Sequence, residues 1–143
     1  MIWPIDPPEL CDELPDEEEP ETAPRRAPIA LAEHDVYVNL VGGLSLTETA
    51  TDLPVALALA SSLRDAPLDA TLVVFGELGL TGEVRPVPHG EERLRELAKQ
   101  GYGAVILPRQ NAPRGGLPGL ALHPVATLAE ALAAAFAAGT PAR

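Results

Sequence analysis

Twenty residues, Thr71–Gly90 (TLVVFGELGLTGEVRPVPHG), constrain the fold more than any other part of the chain. Leu72, Val73, Val74 and Phe75 form an unbroken apolar run. A run this short and rich in β-branched residues reads as a strand buried on both faces. Thr81 and Gly82 then turn the chain into a second extended segment, Glu83–Val87. Gly76, Gly79 and Gly82 punctuate the pair as bulges, close backbone approaches or positive-φ turns require. Pro86 and Pro88 lack the N–H that a ladder needs, so the second segment is expected to be an edge strand or to leave the sheet early. The stretch predicts a glycine-punctuated hairpin at the centre of a small α+β domain.

Around this centre the chain divides in two. Residues 1–33 hold seven prolines, the acidic run Asp16–Glu19 and few branched apolar residues. That is the composition of a disordered or extended tail, with Ile2, Trp3 and Ile5 as its apolar exceptions. Residues 34–143 are expected to form one domain. Charge divides the same way. Residues 1–24 carry nine acids and no base, whereas residues 35–143 carry eleven acids against eight bases. The formal net charge of −11 therefore belongs mainly to the tail and does not exclude nucleic-acid contact by the domain. Aromatic residues make up only 3% of the chain, so its core must be Leu, Val and Ala. The single cysteine, Cys11, lies in the tail and supports neither a disulfide framework nor a CxxC metal site. No cofactor is expected. Met1-Ile2-Trp3 is not followed by a basic stretch and a long apolar one, and no apolar run approaches the roughly 18–20 residues that span a bilayer. A cytoplasmic protein without a membrane partner is the expectation.

In order, Asp35–Val41 alternates apolar and polar residues and reads as a strand, with Leu44–Leu46 a second short one. Thr51 or Asp52 is a fitting N-cap, and Pro54 suits the first turn of a helix running to about Asp65. Leu53, Ala56, Leu57, Ala60 and Leu63 share its expected core face. A surface helix is expected over Glu91–Gln100, with Glu91 paired to Arg95 and Gly101 just past its end. Tyr102–Leu107 reads as a buried strand ended by Pro108. A Gly- and Pro-rich loop follows over 109–119, then a short strand at Ala121–Pro124. Thr127 and Glu130 have capping-box spacing and open a last helix to about Ala138.

Several blocks together, DVYVNLVGG (Asp35–Gly43), TETATDL (Thr47–Leu53), ASSLRDAPL (Ala60–Leu68), LVVFGELGLTGEVRPV (Leu72–Val87) and GEERLRELAKQGY (Gly90–Tyr102), carry a resemblance. From about His34 to Ala138 the chain resembles the C-terminal Lon-protease-like domain of the RadA (Sms) family of bacterial DNA-repair proteins. The resemblance implies the Lon-peptidase fold, which is ribosomal-protein-S5-domain-2-like, and assembly as hexameric rings. RadA-like proteins also carry a four-cysteine zinc motif and a RecA-like ATPase core. Neither has its signature in this sequence, and the acidic tail matches no part of the family. A detached domain, a truncated reading frame and a stand-alone relative all fit.

The same resemblance frames the question of catalysis. Lon peptidases use a Ser nucleophile at the start of the first long helix and a Lys base at the start of the helix after the hairpin. Such a Lys must be desolvated and within hydrogen-bond reach of the hydroxyl. The matching positions here are Ala50 and Glu91, so the dyad is degenerate. Thr49 and Thr51 flank the first position but point in other directions. Ser61 and Ser62 fall late in the helix, and Lys99 lies about 200° around its helix from Leu97, on the solvent face. His89 is the best placed of the three histidines for a triad, yet a turn histidine is commonly a surface residue. Glu77 and Glu83 sit on opposite arms of the hairpin, where a carboxylate bonded to turn N–H groups is the plainer reading. No aromatic interleaves with the basic residues, which leaves no stacking platform for single strands. A ring concentrating Arg85 and Arg93 around a channel would still give weak, salt-dependent DNA contact, against solvated surface charge as the simpler account.

Three functions follow. The first is a non-catalytic assembly or scaffold domain in recombinational repair and branch migration, associating with itself. The second is an active Lon-type serine endopeptidase. The third is an orphan regulator that joins full-length RadA-type rings.

Overall fold

In a computed structural model of the chain, Leu31, residues 35–38 and residues 48–138 are described. A 3-10 turn, Thr49–Thr51, leads directly into helix α1, Asp52–Arg64. Pro54 occupies its first turn, where the missing N–H costs nothing. Thr51 is the N-cap, but its hydroxyl donates to the Glu48 carbonyl at 2.7 Å instead of capping a helix N–H. Strands β1 (Leu72–Val74), β2 (Glu77–Leu78) and β3 (Val84–Arg85) follow, then helix α2 (Gly90–Gln100) and strand β4 (Ala104–Pro108). A second 3-10 turn at Arg109–Asn111 precedes β5 (Ala121–Val125) and helix α3 (Leu128–Ala138).

Strand β4 is the axis of the molecule. It pairs in parallel with β1 on one side, Leu72 opposite Ala104, and with β5 on the other, Ala104 opposite Ala121. Val105, Ile106 and Leu107 have no exposed surface. A strand covered on both faces has no polar side to show, which is why its sequence is continuously apolar. Ile106 packs with Leu53, Leu57 and Ala60 of α1 and with Ala131, Leu132 and Ala135 of α3. Val105 and Leu107 pack on the opposite face with Phe75, Val87 and Leu94 of α2. The described residues thus form a mixed α/β sandwich, with α1 and α3 on one face of the sheet and α2 on the other. Each fully buried aliphatic side chain of this kind contributes about 1.5–3 kcal/mol.

Helix ends follow their sequence signals. Gly101 takes φ 82° after α2, and Tyr102 N–H reaches back to the Leu97 carbonyl at 3.3 Å. Thr127 Oγ accepts the N–H of Glu130 at 3.2 Å, as the capping-box spacing requires.

Four expectations are corrected. The central element is a parallel sheet rather than one long hairpin. The chain leaves the sheet after β1 because Gly76 is tied to α1, its N–H to the Ala50 carbonyl at 2.9 Å and its C=O to Leu53 N–H at 3.0 Å. The hairpin is confined to β2 and β3, two residues each, with Glu77 opposite Arg85, and it ends before Pro86 as expected. Ala56 is only half-buried and Leu63 is 39% exposed. At 100° per residue Ala56 lies about 70° and Leu63 about 90° from the centre of the stripe set by Leu53, Leu57 and Ala60, on the flank of the helix. Strand β4 starts at Ala104 rather than Tyr102, because Gly101 and Tyr102 complete the end of α2, and it includes Pro108. Residues 35–38, expected to begin a strand, carry no regular structure. The rest of that strand, the strand at Leu44–Leu46 and, apart from Leu31, the tail 1–33 lie outside the described residues. Among the described residues no helix is long and apolar enough to cross a membrane.

Candidate functional site

The beginnings of α1 and α2 meet on one side of the sheet. Glu48, just before the first 3-10 turn, pairs with Arg93 in the first turns of α2 at 2.5 Å. Ala50 and Leu94 pack in the same apolar cluster. Arg93 Nε is buried there without a hydrogen-bond partner among the described residues. The entry to α2 is fixed by Asn111 from the far loop. Its side-chain amide donates to the Val87 carbonyl and accepts from the Val87 N–H, both at 2.9 Å, and so substitutes for a neighbouring strand. Gly90 fits beneath it only because it has no Cβ, which would lie 2.5 Å from Asn111 Nδ2. His89, the residue before the helix, takes a left-handed φ of 60° with Nδ1 3.0 Å from Glu92. An open cavity of about 370 Å3 lies here, lined by His89, Glu91, Glu92, Arg95, Gln110 and Asn111.

The two positions expected from sequence to match a Ser/Lys dyad fall at these two helix starts. Ala50 is buried and presents a methyl group to Phe75, Val87 and Leu94. Glu91 is exposed, its carboxylate accepting from Arg95 at 3.2 Å, the i,i+4 pair expected from sequence. Thr51 donates to the Glu48 carbonyl and Ser61 donates to the Ala66 carbonyl at 2.6 Å. Lys99 lies on the solvent face beside Glu96 at 3.6 Å. Among the described residues no serine or threonine hydroxyl bonds to a histidine or lysine. Nor do any three His, Cys, Asp or Glu residues among them group to hold a metal ion.

Arg85 and Arg93, the candidate phosphate contacts, are both engaged within the chain. Arg85 lies 3.7 Å from Glu77 and 2.5 Å from Glu83, with about half its side chain exposed. It stands between the two hairpin carboxylates, so Glu77 and Glu83 do not form an acid pair. Glu83 Oε2 accepts the Thr81 N–H at 3.1 Å and the Thr81 hydroxyl at 2.5 Å. The Thr81 hydroxyl, then Glu83's own N–H and Arg85, hold the Glu83 carboxyl well below the usual range, at about 2. Asp69 is lowered in the same way by the Thr71 hydroxyl and N–H. Asn111 and Glu48 were not singled out from sequence, because each acts on a partner far along the chain that no local pattern signals. Glu130, singled out for its capping-box spacing, bonds both Arg109 and the Ala126 N–H.

The family described as subunit ChlI of Mg-chelatase matches residues 19–111, more than half of the chain. The DNA repair protein RadA of Escherichia coli is 49% identical over 108 residues, 76% of this chain and 24% of the relative. RadA of Pseudomonas aeruginosa is 48% identical over 112 residues, 78% of this chain and 25% of the relative. RadA of Mycobacterium tuberculosis is 43% identical over 89 residues, 62% and 18%. The chain thus spans about a quarter of the length of the first two relatives. With more than half of its residues matched by that family, and close to half of the aligned ones identical to those of repair proteins, the chain belongs to the ChlI family and is homologous to the RadA DNA repair proteins.

Proposed function

We propose that this chain is a non-catalytic assembly module of the RadA type, acting in cytoplasmic DNA repair by recombination and branch migration. In this reading residues 34–143 adopt the Lon-peptidase-like, ribosomal-protein-S5-domain-2-like fold, and residues 1–33 form an acidic appendage. The observation that carries it is the pair of helix starts, where Ala50 offers a buried methyl and Glu91 a solvent-facing carboxylate engaged by Arg95. Covalent acyl transfer needs a nucleophile and a base in contact, and these positions supply neither. The shared ion pair Glu48–Arg93 instead holds the two helix starts together as a structural joint. The partners proposed are other copies of this chain and full-length RadA-type rings. Phosphate contact by Arg85 and Arg93 has to compete with Glu77, Glu83 and Glu48, so any DNA binding is weak and strongly salt-dependent.

The test is labelling with a serine-reactive fluorophosphonate, read by intact mass, together with hydrolysis of unfolded casein with and without ATP. The expected result is no adduct and no turnover. Turnover in rigorously purified protein that is abolished by Thr49→Ala or Thr51→Ala overturns the reading in favour of a peptidase.

A further inference from the structure

We draw no further inference here: the strongest candidate, the open cavity at the start of α2 lined by His89, Arg95 and Asn111, belongs to the site already described and rests on a helix N-terminus, since His89 faces Glu92, Arg95 bonds Glu91, Asn111 holds the Val87 peptide, and no second feature among the described residues points to a ligand.

Discussion

Gly90 and Asn111 show how a single atom sets the geometry of the helix starts. A methyl group at Gly90 falls on the Asn111 amide, and that amide holds both polar groups of the Val87 peptide. Gly90→Ala is therefore expected to destabilise the fold by about 1–3 kcal/mol, the range for a forced steric insertion. Asn111→Ala is expected to cost about as much, because it leaves the Val87 N–H and C=O unpaired in a partly buried place. Urea denaturation monitored by circular dichroism measures both. Their effects are also expected to be less than additive, since the two substitutions break the same clamp. At this scale the sequence was legible unevenly. Ala50 and Glu91 were found because they sit in blocks with a family pattern around them. Asn111 was not, because the peptide it holds is 24 residues away and an asparagine in a Gly- and Pro-rich loop reads as a turn former.

Helices were read well from sequence because their ends carry local chemistry: Pro54 at an entry, Gly101 at an exit, Thr127 three residues before Glu130. The sheet was read less well. Whether the apolar run Leu72–Phe75, itself only half-buried over Leu72–Val74, pairs with its neighbour in sequence or with a distant strand depends on which partner is buried on both faces. Only β4 is. One helix end departs from its best chemistry, for Asp65 closes α1 in the left-handed region with φ 48°. Asp65→Gly is expected to stabilise the chain by up to about 1 kcal/mol in urea denaturation, as glycine takes that conformation without the Cβ penalty. The hairpin turn makes a pH prediction. Glu83 is lowered in the folded chain to about 2 from an ordinary 4.5, so its ionised form is the one the turn binds. The stabilisation is fully present above about pH 4.5 and is lost as pH falls through the folded value. Amide exchange at Thr81 and Gly82, corrected for intrinsic rates, is expected to keep constant protection from pH 7 down to about 4.5 and to lose it toward pH 2. Glu83→Gln is expected to remove that dependence.

For the molecule as a whole, charge opposes assembly. Residues 1–24 bring nine acids to every copy. Repulsion of that kind acts over about 10 Å at 0.1 M salt and is screened further as salt rises. Self-association is therefore expected to be weak in dilute buffer, promoted by salt, and strengthened by deletion of residues 1–33. Light scattering on both chains across salt concentrations checks this, and a salt-independent assembly indifferent to the deletion contradicts it.

The central position of β4 also sets a schedule for synthesis. Strand β1 leaves the ribosome well before its only described ladder partner, since Leu72 waits for Ala104, 32 residues later. At a bacterial elongation rate of about 5–20 residues per second the delay is roughly two to six seconds. For that interval Leu72–Phe75, an apolar segment without a charge, waits for its described ladder partner. Among the described residues already made, those at the start of α1 can bond to its end, through the bonds that tie Gly76 to Ala50 and Leu53. The joint at Gly76 is therefore expected to be able to form before the sheet does, so that a substitution at Gly76 weakens the nascent strand's cover before the chain is finished.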